Sequence, residues 1–246
     1  MIDWLLGKPA REPRIEVAGR TLPVVLRRNA QARRMTLRLA PDGSEVRITL
    51  PRWGRSAEAL EFARLRAGWI AGQLAAVPAP QVLADGSQVQ LCGAALTLRH
   101  DPAAPRRVTL QAGNPGAGEL VVGGPADALP ARVKRWLERE ARRLLSEDLA
   151  FYCARAGLPP QRLMLSAARR RWGSCARDGT IRINWRLVMA PADVRRSVVA
   201  HEVAHLVHFD HSPAFHAALD GLFEGDLRAA NRWLKLHGRA LYAPLG

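Results

Sequence analysis

Five of the chain's seven histidines fall within the sixteen residues from His201 to His216, and the first two bracket a glutamate. His201 and His205 are four apart, so on a helix they project from one face, one turn from each other. Two imidazoles placed this way can grip one zinc ion. Glu202, next to the first, then reaches a water on the ion without being a ligand. A catalytic site needs a third protein ligand and one open position. His208, His211 and His216 are the candidates. His208 shares the helical face but lies a turn further along. Phe209-Asp210 reads as a helix end, and Ser212-Pro213 as a new start with Ser212 at the N-cap and Pro213 at the first helical position. His211 then sits on a turn that folds back over the preceding helix, and it ranks first. His216, fourth in the new helix, ranks second as a group that orients a ligand. His208 ranks third.

A charged face with imidazoles also occurs on ordinary surface helices. Here the opposite face is apolar, with Val198, Val199, Val203, Leu206 and Val207, so the helix reads as partly buried. Three imidazoles and a carboxylate buried without a shared partner are costly, and a bound cation removes that cost. The expected chemistry is hydrolysis: zinc acidifies a water and polarises a carbonyl, while Glu202 takes the proton and passes it to the leaving group. A second donor to the developing oxyanion is not identified by spacing; His208, His216, an arginine and Tyr242 are all open.

A second block lies upstream, from Arg169 to Leu187. Asp178-Gly179 is a hairpin turn signal. After it Ile181, Ile183, Trp185 and Leu187 alternate with Thr180, Arg182, Asn184 and Arg186, which predicts a half-buried strand. Leu163-Met164-Leu165 predicts another. A small sheet beside the zinc helix offers an edge to an extended peptide, or else only covers the helix.

Several of these motifs occur together in the order Arg171-Trp172-Gly173-Ser174-Cys175, Ile183-Asn184-Trp185-Arg186-Leu187, Ala190-Pro191, His201-Glu202 to His205, His211-Ser212 and Phe215. In this the chain resembles the YgjP-like metallopeptidases, a group similar to the SprT-like zinc proteases. The resemblance implies an α+β fold with a small gluzincin-like core, helices packed on a small, mainly antiparallel sheet. It also implies Zn2+ held by His201, His205 and His211 with Glu202 catalytic. Trp172, Ser174, Asn184, Arg186 and His216 become the candidates for holding substrate. Phe215-His216 departs from the family pattern, where a second aromatic is common, and this leaves the role of His216 open. For some of the group a nucleotide pyrophosphohydrolase activity is also implied.

The 246 residues suffice for one or two domains with a sizeable core. Three scattered cysteines, Cys92, Cys153 and Cys175, suit a reducing cytoplasm rather than a disulfide framework. Cys175 reads as a packing residue more than as a fourth ligand. No apolar run approaches the ~18 residues of a membrane span, and the Trp4-Leu5-Leu6 patch is no secretory signal. Net charge is +15, and only three of the 37 basic residues are lysine. Nine arginines between Arg162 and Arg196 face only Asp178 and Asp193 there, so a polyanion, nucleic acid or nucleotide, is an expected partner of this surface. Arg177, Arg182 and Arg186 are expected to be exposed.

Upstream, strands are expected at 22–27, 35–39 and 46–50, with a Pro41-Asp42-Gly43-Ser44 hairpin, one helix from Ser56 to about Ala76, and short strands across 81–123. Helices follow at about 129–156 and 226–237. No internal repeat is evident. The expected division is a β-rich region with one helix, 1–124, and a catalytic domain, 125–246. The leading function is a cytoplasmic zinc peptidase acting on peptide or protein. The alternative is a nucleotide pyrophosphohydrolase using the same metal, although no glycine-rich phosphate loop accompanies it.

Overall fold

The computed structural model describes residues 13–40, 43–75, 77, 82–111, 118–169, 171–243 and 245. Pro41-Asp42 and the Trp4-Leu5-Leu6 patch lie outside them. The chain divides into two compact units, Met1–Pro78 and Ala79–Gly246. That division does not coincide with the expected boundary at 124. The strands before 124 bury Val89, Leu96, Leu98, Leu120 and Val122 in the same apolar core as the helix that follows them.

The first unit contains strands β1 (Arg14–Val17), β2 (Arg20–Arg28), β3 (Thr36–Leu39) and β4 (Val46–Leu50), then helices α1 (Ser56–Leu65) and α2 (Ala67–Ala75). The sheet order is β1-β2-β4-β3, with β2 and β4 parallel and the outer pairs antiparallel. The helices cover one face, burying Ala59, Ala63, Ile70 and Leu74 against Ile15, Leu22, Val24, Ile48 and Leu50. One helix was expected over this stretch and two form. The apolar spacing passes through Arg66 without interruption, so periodicity does not register the break there. Arg55 is the N-cap of α1.

The second unit begins with β5 (Gln88–Leu91), β6 (Ala94–Asp101), β7 (Val108–Gln111) and β8 (Gly118–Gly123), in the order β5-β6-β8-β7 with β6 and β8 parallel. This is the topology of the first sheet. The tight turns also match: Ala18-Gly19 and Cys92-Gly93 both have positive φ, at 50° and 74° and at 51° and 81°. The molecule therefore contains a structural repeat, contrary to the sequence expectation. Only alternating apolar residues and one turn glycine recur between the copies, which any hairpin could share.

Helix α3 (Leu129–Arg155) follows, then β9 (Leu163–Ser166), β10 (Gly173–Cys175), β11 (Ile181–Asn184), a 3-10 turn (Trp185–Met189), α4 (Ala192–Val207), α5 (Pro213–Leu222) and α6 (Leu227–His237). The small sheet runs β10-β11-β9, with one antiparallel and one parallel pair, so it is mixed rather than mainly antiparallel. Ile181 and Ile183 face the core made by α3 and α4. The strand expected to reach Leu187 stops at Asn184. There the Asn184 Oδ1 accepts the Arg186 backbone N–H and turns the chain into the 3-10 segment. Helices on sheets that mix parallel and antiparallel strands make this an α+β protein.

Candidate metal centre

Helix α4 is buried over most of its surface: Val194, Val198, Val199, Ala200, Val203 and Ala204 are all in the core. It ends at His208, which turns to an extended conformation while its N–H still bonds to the Ala204 carbonyl. The chain then reverses. Asp210 Oδ1 accepts the Ser212 N–H at 3.3 Å, and the Ser212 hydroxyl caps α5 by accepting the Phe215 N–H at 3.4 Å. The reversal lays His211 over the histidine face of α4.

His201, His205 and His211 each offer a ligand atom, all within 4.8 Å of one another. The Nε2 atoms of His201 and His211 are 3.4 Å apart. A tetrahedral zinc with nitrogens at 2.0–2.1 Å has an edge of about 3.3 Å, so the donor set fits such an ion. His205 Nδ1 lies 3.1 Å from the His208 carbonyl. A carbonyl only accepts, so this bond places the proton on Nδ1 and leaves Nε2 for a metal. His208 thus contributes its backbone, and its imidazole is outside the group. His216 is outside too; it is exposed, with its ring 5.4 Å from that of Phe215.

Phe215 is fully buried, with its ring 5.0, 4.5 and 4.8 Å from those of His201, His205 and His211. It is the common floor of the three imidazoles. It belongs to the sequence motif, where spacing alone assigns it no task. The signal was its place one turn into a capped helix, where a side chain faces back toward the turn that carries His211.

Glu202 points from α4 toward β10 and is 5% exposed. Burial pushes its carboxyl up to about 7, against the pull of Arg171 and of the Cys175 backbone N–H that it accepts. Gly173 makes this approach possible: a Cβ there would stand 2.3 Å from Glu202 Oε1. Burial, then the neighbouring His205, His211 and His216, pushes His201 down to about 4. The imidazole is neutral at pH 7, the form that ligates a metal. The Cys175 thiol is not in the group; burial pushes it up, and its Sγ lies 3.6 Å from the Ala176 carbonyl.

A family model described as YgjP-like, metallopeptidase domain, matches residues 33–237. The chain belongs to the YgjP-like metallopeptidase family. As a metallopeptidase it needs a metal ion and acts on peptide or protein. Among solved structures, the crystal structure of the metallopeptidase zymogen abylysin of Pyrococcus abyssi is similar to 42% of this chain and 99% of its own, at 17% identity and a TM-score of 0.35. No curated protein matches. Among the described residues no helix is long and apolar enough to cross a membrane.

The motif residues expected to hold substrate separate into two groups. Trp172 and Ser174 are half-buried on and beside β10, next to the carboxylate. Trp172 rests against Gly238, where a Cβ would meet its ring at 2.8 Å, and its ring centroid is 5.8 Å from that of Tyr242. Asn184 and Arg186 are buried, at 0% and 3% exposure. Asn184 donates to the Ala168 carbonyl and to the Tyr242 hydroxyl. The Arg186 guanidinium lies between the rings of Trp185 and Tyr242, 4.4 and 4.7 Å from their centroids. The strand ends before Arg186, so the alternation that would have turned it outward no longer applies. Of the other arginines in the cluster, Arg195 is buried against Asp148, Arg196 is shared between Asp148 and Glu224, Arg177 is exposed and Arg182 half-buried. Arg170 lies outside the described residues.

Proposed function

We propose that the protein is a zinc-dependent peptidase in which His201, His205 and His211 hold the metal and Glu202 is the general base. The observation that carries this reading is three convergent imidazoles beside a carboxyl that burial holds near 7. A zinc ion bound there supplies a Lewis acid that acidifies water and polarises a peptide carbonyl. The chain supplies the rest. Gly173 leaves room for Glu202, and the Cys175 N–H anchors its carboxylate. The anchored carboxylate takes a proton from the attacking water and delivers it to the departing amine. A group poised near neutrality suits both transfers.

Among the described residues strand β10 is an edge of its sheet, bonded to β11 alone. Apart from the Cys175 N–H, which Glu202 takes, the main-chain groups on its open side are offered to an extended peptide, with Trp172 and Ser174 beside it. Three free cysteines in separate elements suit the cytoplasm.

Glu202→Gln tests the reading. The variant should keep its fold and its zinc and lose hydrolysis of unfolded protein by about 10²–10⁴-fold. Near wild-type turnover would remove Glu202 as the base. Hydrolysis of nucleotides but not peptides, abolished by the same substitution, would transfer the site to pyrophosphohydrolysis.

A further inference from the structure

The two copies of the four-stranded sheet share a topology and treat charge in opposite ways. In the first copy, helices α1 and α2 cover one face. Alternation and register assign the other face to Arg14 and Glu16 on β1, Val25 and Arg27 on β2, Arg47 and Thr49 on β4, and Thr36 and Arg38 on β3. Arg14, Arg27 and Arg38 are exposed. Arg47 is paired with Glu45, and among the described residues no carboxylate is paired with the other three. Arg38 stands directly opposite Arg47 across the antiparallel β3–β4 pair, an arrangement that costs stability. Arg33 and Arg34, both exposed, lie in the connection just before β3.

On the same face of the second copy, the position equivalent to Arg27 is Asp101. The arginine on its strands, Arg99, is bonded to Glu119 at 3.2 Å and lies 3.9 Å from Asp101; Arg106 and Arg107, both exposed, precede β7. The fold thus does not require a basic face, and a general preference for arginine does not produce one in both copies. The first copy bears a like-charge pair that the second avoids.

We infer that this face of the first unit holds double-stranded nucleic acid by its phosphates. The chemistry of the face selects among anionic partners. Guanidinium and threonine hydroxyl groups are among the side chains that contact phosphate oxygens. Adjacent strands about 4.8 Å apart and alternate residues about 7 Å apart give a spacing comparable to that of successive phosphates. Val25, 37% exposed, is the large apolar side chain on the face, so it lacks the anchor that a protein partner or a membrane takes. None of the described residues assigned to the face is aromatic, and the exposed Trp53 lies beyond the end of β4, so the face itself has no ring to stack unpaired bases, which favours a duplex over a single strand. This binding does not rest on the peptidase reading, because its residues belong to the other unit.

The test is anisotropy of a labelled DNA duplex titrated with the full-length, zinc-loaded protein at several salt concentrations. Wild type should bind with a strong salt dependence. Arg27→Thr/Arg38→Thr should bind about tenfold or more weakly, with the slope of log affinity against log salt reduced by about 2. Zinc content should be unchanged and Tm no lower, since relieving the Arg38–Arg47 opposition offsets any loss. Arg99→Thr, in the paired copy, should bind as wild type does. The inference is overturned if wild type binds no duplex at about 50 mM salt, or if the double variant binds unchanged. Tighter binding of single strands, or equal binding of a polyglutamate peptide, overturns it as well.

Discussion

Helix α4 buries polar groups on two of its sides and satisfies them differently. On one side Arg195, 4% exposed, meets Asp148 at 2.7 Å, and Arg196 bridges Asp148 to Glu224, which also accepts the Tyr152 hydroxyl at 2.9 Å. Every charge there has an opposite charge supplied by the chain. On the other side three imidazoles converge with no carboxylate among them, and Glu202 is buried against a glycine with the exposed Arg171 as its counter-charge. Burial leaves the His201 imidazole neutral and raises the Glu202 carboxyl against the weaker pull of Arg171, and these are the states that metal binding and proton transfer use. A buried group paired within the chain serves the fold. A buried group whose partner is missing marks the place where something from outside completes it.

If this contrast is right, the two sides respond differently to damage. The largest effect on stability is expected from Asp148→Ala, which strips the buried Arg195 of its counter-charge and should cost about 3–5 kcal/mol. Urea denaturation measures it. His201→Ala in metal-free protein leaves no stranded charge and should cost much less; equal losses would erase the distinction. The reverse holds for zinc. At about 100 times its Kd the ion should stabilise wild type by about 2.7 kcal/mol, and should not stabilise His201→Ala or His211→Ala. His216→Ala should keep the gain. Loss of the gain in His216→Ala but not in His211→Ala would relocate the third ligand. The smallest effect on the fold is expected from Gly173→Ala, which should keep zinc but displace Glu202 and lower turnover about 10²-fold. Unaltered turnover would mean that the Gly173–Glu202 approach is not needed for the reaction.

The site was legible wherever its geometry is local in the chain. A spacing of four on one helix fixes His201 against His205. A helix stop followed by Ser212-Pro213 fixes the turn that brings His211 back. The role of Gly173 was not legible, because it exists only where β10 passes Glu202 and concerns an atom that glycine lacks. Arg186 was misplaced for a related reason: alternation assumes that the strand continues, and the Asn184 side chain ends it. The fold followed the same rule. Helix α3 and the β10–β11 hairpin carry strong local signals. The repeated sheets depend on parallel pairings of β2 with β4 and of β6 with β8, distant in sequence and marked by no local residue.

The central claim is that His201, His205 and His211 hold one catalytic zinc beside Glu202. Anomalous scattering at the zinc edge from crystals of the zinc-loaded protein tests it most directly. One peak is expected, about 2.0–2.1 Å from the free nitrogen of each of the three rings, with the fourth position open toward Glu202. A peak elsewhere, or a fourth protein ligand closing the site, would contradict the account.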